Sequence, residues 1–274
     1  MSMNKRRKIR KQKPQQHKKG FLPKQLKRTP KPSYFKDSEG NVLGSIDLVF
    51  PIIRRSSHGV TECVGTAFLI HPVGGFITAK HCLERESGYD GEYFGIQTIR
   101  RKYQVIRKIV YYEAHQKGDI AVGMLSGELR DKATDQIVYL TTFAIAAVPP
   151  KIGEDVYILG YPRMRISSKK MGTFPCDRYD GTILEHLPEG TAKIKSECFV
   201  TNINIKCGSS GGPVIRDFKV IGVCSSSFDN DGTVEPISFI TPIHLVYDLE
   251  LKDSSGGVST VKQMMHDGYI PKAQ

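Results

Sequence analysis

Cys207-Gly-Ser-Ser-Gly-Gly-Pro213 sets one serine, Ser210, among three glycines. Glycine admits backbone conformations closed to other residues, so this stretch is built for a tight turn that presents a side chain and its neighbouring N–H groups. A serine hydroxyl is a weak nucleophile at neutral pH and needs a base within hydrogen-bond reach. A neutral histidine suits that task, because its pKa lies near operating pH. A carboxylate on the other ring nitrogen must hold the tautomer that leaves the first nitrogen free to accept a proton.

Two further segments supply those groups. Phe76-Ile-Thr-Ala-Lys-His-Cys82 is an apolar strand pattern that ends in small residues and delivers His81 at its tip. Gly118-Asp-Ile-Ala-Val122 puts Asp119 just before an apolar run, where a strand edge can turn the carboxylate inward. A lone histidine, a Gly-Asp pair and a Gly/Ser-rich loop are each commonplace. Their joint occurrence in the order His, Asp, Ser, at spacings of 38 and 91 residues, is not. The turn around Ser210 would also present the N–H groups of Gly208 and Ser210 to a developing oxyanion.

Outward from these segments the chain reads as all-β. Short apolar runs of strand length cover Ser45–Ile53, Cys63–Ile70, Gln104–Tyr112, Asp155–Gly160, Thr191–Val200 and Lys219–Ser225. They are rich in Val, Ile, Phe and Tyr. Turn signals at His71-Pro-Val-Gly-Gly75, Asp180-Gly181 and Asn230-Asp231-Gly232 punctuate them. The pattern predicts a barrel or sandwich. Helices are expected near Ile243–Leu251 and over Ser259–Asp267, the latter ended by Gly268.

Charge is segregated. Residues 1–32 carry 13 Lys/Arg and no Asp/Glu, whereas the whole chain is +12, so the remainder sums to −1. The basicity belongs to the N-terminal segment and says nothing of the candidate site. That segment is too polar to bury a core and is expected to be disordered. It fits either a contact with nucleic acid or another polyanion or a solubilising tail without a partner. No apolar run of 18 residues supports a spanning helix. The basic N-terminus has no apolar stretch behind it that would read as a secretion signal, so a cytoplasmic location is the expectation. The six cysteines form no CxxC or Cys/His zinc pattern, and neither metal nor organic cofactor is called for. In a chain without a secretion signal they are expected to be free buried thiols.

Taken together, these blocks resemble the trypsin/chymotrypsin-like serine peptidase superfamily. Thr78-Ala-Lys-His-Cys82 is similar to the family's Thr/Ser-Ala-Ala-His-Cys block, with Lys80 as the departure. Asp119-Ile-Ala and Gly208-Ser-Ser-Gly-Gly-Pro213 resemble its aspartate and serine blocks, with Ser209 where digestive members carry Asp. Gly65-Thr-Ala-Phe68 and Gly160-Tyr-Pro162 resemble two further blocks. The resemblance implies two antiparallel six-stranded β-barrels with a short C-terminal helix, the halves at about 43–140 and 141–250. Residues 1–42 would then be a basic tail and 251–274 a C-terminal tail. It implies His81, Asp119 and Ser210 as catalytic triad, acyl-enzyme chemistry on a protein or peptide substrate, and no cofactor. Activation through a freed N-terminus is not expected, since Ser209 lacks the charge. The resemblance is closer to the bacterial and intracellular branch, including the high-temperature-requirement proteases; the PDZ domain that usually follows in those is not expected here.

The family's pocket for the residue before the scissile bond maps to Asn204 at its base, Cys224 and Ser227 at its wall and mouth, and the backbone of Ser225. Asn204 carries no charge, so a small or medium uncharged residue is expected there. Cys63 and Cys82 sit where members often have a disulfide, which the resemblance implies for an exported protein only; in a cytosolic one both would be core residues. The competing reading is a polyanion-binding protein built on a protease-like scaffold.

Overall fold

The computed structural model describes residues 34–36, 42–44, 47–58, 61–84, 91–99, 103–130, 135–162, 175–192, 194–227, 236–252 and 257–271. The chain divides into Met1–Pro32 and Ser33–Gln274. The basic segment 1–32 and the Asn230-Asp231-Gly232 turn lie outside the described residues.

A small hairpin of β1 (Tyr34–Lys36) and β2 (Val42–Gly44) comes first. It begins inside the segment read from sequence as tail. Six strands then close a barrel: β3 (Val49–Arg55), β4 (Thr61–Leu69), β5 (Gly75–Thr78), β6 (Glu92–Ile99), β7 (Tyr103–Ala114) and β8 (Ala121–Leu125). They are hydrogen-bonded in the order β3-β4-β5-β8-β7-β6, and β6 returns to β3 in antiparallel register with Ile52 opposite Gly95. Closure leaves no free edge, and bulges at Ile52/Ile53 and Ile109/Tyr111 bend the long strands around the axis. Phe50 and Phe76 fill the interior edge to face, 5.6 Å between centroids. The rings lie where Cβ atoms of Gly95 and Gly123 would be, so those strands can pass only as glycine. Each fully buried aromatic or aliphatic side chain of this kind contributes about 1.5–3 kcal/mol.

One charged side chain crosses this interior. The Arg107 guanidinium donates to Gln97 Oε1 (3.0 Å), Ser126 O (2.9 Å), Val73 O (2.8 Å), Leu125 O (3.3 Å) and Gly127 O. It fastens the His71–Gly75 turn to the end of β8. Burial lowers its pKa to about 10.

Strand β9 (Ala144–Ile145) leads into the second barrel: β10 (Asp155–Gly160), β11 (Asp177–Leu187), β12 (Cys198–Thr201), β13 (Pro213–Arg216), β14 (Lys219–Ser227) and β15 (Ser238–Pro242). The ladder runs β13-β10-β11-β12-β15-β14, and pairing of β13 with β14 closes it; β9 adds in parallel beside β14. Its interior holds Ile158, Ile183, Phe199, Val214, Ile221 and Ile240. Asp180 and Gly181, read from sequence as a turn, lie inside β11, paired with Tyr157 and Val156. The Ile203 side chain packs where a Cβ on Gly181 would project, so this glycine makes room for a neighbour and does not turn the chain.

After β15 the chain makes a single 3-10 turn, Ile243–Val246, and then strand β16 (Glu250–Lys252), which pairs with β17 (Val258–Thr260). The helix expected over Ile243–Leu251 is therefore not formed: Leu251 is needed in the core at a strand position. Helix α1 (Val261–His266) is as expected, with the Thr260 hydroxyl accepting from Gln263 N–H and Gly268 at φ +80° closing it. Val261, Met264, Met265 and Ile270 are buried in the same cluster as the first barrel's core, so the described residues 257–271 pack onto the body.

Candidate active site

Strand β5 ends at Thr78, and a 3-10 turn over Lys80–Cys82 puts His81 at its tip. The Thr78 hydroxyl, fully buried, donates to Thr66 O at 2.7 Å and ties this end of β5 to β4. Asp119 stands in the β7–β8 turn. That turn is shaped by His115, whose Nδ1 accepts from Gly118 N–H at 2.7 Å, and by Lys80 Nζ, which donates to Gln116 O at 3.2 Å. Lys80, the residue that departs from the family block, thus links the histidine segment to the aspartate turn.

The two side chains meet. His81 Nδ1 lies 2.9 Å from Asp119 Oδ2 and 3.0 Å from Oδ1, and His81 N–H donates to Oδ1 at 3.1 Å. A carboxylate only accepts, so in the neutral ring Nδ1 carries the hydrogen and Nε2 the lone pair. Burial favours the uncharged ring, but Asp119, aided by the Cys82 sulfur, outweighs it and holds the imidazolium pKa above its ordinary value. The ring is still 44 % exposed, so solvent screens much of that effect.

Ser210 arrives from the second barrel on the segment between β12 and β13. Its carbonyl accepts from Thr66 N–H (2.7 Å) and from Cys82 Sγ (3.5 Å), so the serine is anchored to the residue that follows His81. Gly211 N–H donates to Cys224 O (2.7 Å) and Cys224 N–H to Gly212 O (3.0 Å), which fasten the loop to β14. Gly211 is left-handed (φ +86°), and a Cβ there would sit 2.1 Å from Thr66 O and 2.2 Å from Thr78 Oγ1. Only glycine lets the loop press this closely against β4 and β5. Gly208 is also left-handed (φ +96°), with Tyr161 O where its Cβ would be. No acceptor among the described residues takes the N–H of Gly208 or Ser210. No hydrogen bond joins the Ser210 hydroxyl to the His81 ring; such contacts often tighten only when substrate binds.

The residues expected to bind substrate are placed as follows. Ser225 is fully buried, its hydroxyl 2.5 Å from Thr241 Oγ1, and a bulge between Cys224 and Ser226 leaves it outside the β14–β15 register. Cys224 is fully buried in the second barrel's core. Ser227 is half-buried and donates to Ile205 O at 3.4 Å. Asn204 is exposed, whereas Ile203 and Ile205 on either side are buried. Ser209 is fully buried, with its hydroxyl unpaired, against Gly160.

All six cysteines are free thiols. Cys63 donates to Gly65 O at 3.7 Å and is not bonded to Cys82. Burial raises the Cys63 thiol to about 11 and pushes Cys224 higher still, so neither is a ready thiolate. Sequence reasoning passed over Thr66 and Tyr161 as site residues. Their signal was present in the Gly65-Thr-Ala-Phe68 and Gly160-Tyr-Pro162 blocks, but hydrogen-bond partners across two barrels are not readable from spacing.

Comparison with known proteins agrees with the geometry. Several solved structures share the fold. Deg5 superposes with a TM-score of 0.53 at 16 % identity, over 74 % of this chain and 86 % of that one. A protease from M. tuberculosis in its active form gives 0.51 at 18 %, over 82 % and 91 %. An HtrA-type protease with a decapeptide gives 0.53 at 15 %, over 81 % and 64 %. No curated protein matches the sequence. The family model described as the trypsin-like peptidase domain matches residues 65–223, more than half of the chain and a span within which His81, Asp119 and Ser210 lie, and the chain belongs to that family.

Proposed function

We propose that the protein is a serine endopeptidase in which Ser210 is the nucleophile, His81 the general base and Asp119 the group that orients it. The observation that carries this reading is the two-oxygen contact of Asp119 with His81 Nδ1, made beside a loop that anchors Ser210 to Cys82.

Ser210 Oγ attacks the scissile carbonyl carbon while Nε2 of His81 takes the hydroxyl proton. Asp119 keeps the accepting tautomer and stabilises the imidazolium that forms. The tetrahedral oxyanion accepts from the N–H groups of Gly208 and Ser210. Collapse expels the amine, which takes the proton from Nε2, and leaves an ester on Ser210. Water, deprotonated by Nε2, cleaves that ester and restores the enzyme. Substrate backbone pairs at Ser225, outside the β14–β15 register, with Ser227 and Cys224 near the bound side chain. Asn204, Cys224, Ser225 and Ser227 supply no carboxylate, so the preferred residue before the scissile bond is small or medium and uncharged. A cleavage profile dominated by Arg or Lys would refute that preference.

The test is intact-mass detection of the acyl-enzyme with a p-nitrophenyl ester. A single adduct mapped to Ser210, absent in His81→Ala, supports the mechanism; an adduct that forms equally in His81→Ala contradicts it.

The +13 charge of residues 1–32 favours an added role for that segment, holding the peptidase on nucleic acid or another polyanion. Deleting it should abolish salt-sensitive polyanion binding and leave peptide hydrolysis intact. Full-strength binding by the truncated protein would exclude this role.

A further inference from the structure

We infer that Thr66 is a positioning residue for the loop that stabilises the oxyanion, an inference that rests on the peptidase reading above. Thr66 lies on β4, in the first barrel, and is fully buried. Every hydrogen-bonding group it has is engaged. Its hydroxyl donates to Gly208 O at 2.8 Å and accepts from Tyr161 N–H at 3.1 Å. Its own N–H donates to Ser210 O at 2.7 Å, and its carbonyl accepts from the Thr78 hydroxyl.

One side chain and its backbone therefore grip the carbonyls of both residues whose N–H groups are the oxyanion donors. Gly208 at φ +96° has little steric resistance of its own to rotation of the flanking peptides. The peptide after Gly208 is fixed at one end by Thr66 Oγ1 on its oxygen and at the other by Ser209 N–H donating to Lys206 O at 3.1 Å. With that plane held, and the plane after Ser210 held by Thr66 N–H on Ser210 O, the intervening Ser209–Ser210 peptide that carries the Ser210 N–H is fixed on both sides, and the Gly208 N–H, in the plane before Gly208, is set against a fixed neighbour. Because the hydroxyl must accept from Tyr161 N–H, its single proton is committed to Gly208 O. Thr78 carries the same grip to the end of β5, two residues before the turn that bears His81. Thr66 thus sets the register between the oxyanion donors of one barrel and the base of the other without touching substrate.

The test compares Thr66→Val, which keeps shape and backbone N–H but removes the hydroxyl, with Thr66→Ser, which restores it. Turnover is counted per active site titrated with a fluorophosphonate. Full removal of an oxyanion donor costs about 10²–10³ in kcat; loss of its positioner should cost about 10- to 100-fold in kcat with KM within about twofold. Affinity for a peptide boronate, which forms the tetrahedral adduct, should fall in parallel with kcat. Thr66→Ser should recover to within about threefold. A Thr66→Val protein with unchanged kcat per titrated site, or a loss confined to KM or to thermal stability, overturns the inference while leaving the peptidase intact. Should Thr66→Val not fold, Thr66→Ala, whose smaller side chain admits a water, is read the same way; failure of both to fold assigns Thr66 to folding and overturns the inference. Absence of Ser210-dependent titration in the wild type overturns the peptidase reading and this one together.

Discussion

Replacing Asp119 by Asn tests the orienting contact with almost no change of volume. Asp119 Oδ1 already accepts from His81 N–H at 3.1 Å, so the asparagine carbonyl oxygen is drawn to that position. The amide NH₂ then occupies the Oδ2 position, 2.9 Å from Nδ1. A donor there forces Nδ1 to accept and moves the ring hydrogen to Nε2. The ring then has no lone pair to offer Ser210. The corresponding exchange in the archetype of this triad lowers kcat by about 10⁴, equivalent to about 5.5 kcal/mol of transition-state stabilisation. We expect a loss of about 10³–10⁴ in kcat on a peptide substrate, with KM little changed, since Asp119 does not touch substrate. Stopped assays with active-site titration and an unchanged circular dichroism spectrum make the comparison clean. A Asp119→Asn enzyme within about tenfold of wild type would refute the claim that this carboxylate sets the tautomer.

Three further outcomes follow from the same geometry. Gly211→Ala puts a methyl about 2 Å from Thr66 O and Thr78 Oγ1 at a left-handed position; a displacement of Ser210 by about 1 Å should cost about 10²-fold in kcat/KM, and retention of full activity would show that the loop does not need this packing. Asp119 raises the His81 pKa, so kcat/KM should fall as pH drops through a value above the ordinary 6.5 or so, and Asp119→Asn should shift that limb to lower pH; the linked stability is complete below the unfolded pKa and lost as pH rises through the folded one, so a His81-dependent gain in stability at alkaline pH would contradict it. Arg107→Met should lose at least about 2 kcal/mol by urea denaturation, from two or more buried carbonyls left without a donor at about 1–3 kcal/mol each, and a loss under about 1 kcal/mol would mean that the carbonyls find other partners.

The parts of this protein written in local chemistry were legible in its sequence. The strand Asp155–Gly160 and the helix ended by Gly268 follow from a short apolar run and from capping. The joint His, Asp and Ser blocks pointed to three segments, of which the fold joins the side chains of His81 and Asp119 and ties the Ser210 carbonyl to Cys82 Sγ. What escaped was decided by tertiary demand. Ile243–Leu251 has helical composition, but Leu251 belongs in the core and β17 offers a partner, so the segment turns once and extends. Asp180-Gly181 has the composition of a turn, yet Ile203 needs the space that a glycine in mid-strand provides. Thr66 was invisible as a site residue because its four partners come from three distant segments.

The most direct test of the central claim is labelling of the full chain with a fluorophosphonate, wild type against Ser210→Ala. An activated nucleophile predicts covalent labelling of the wild type that is lost in Ser210→Ala while both proteins remain folded. A folded wild type that does not label, or a Ser210→Ala protein that labels equally, would contradict it.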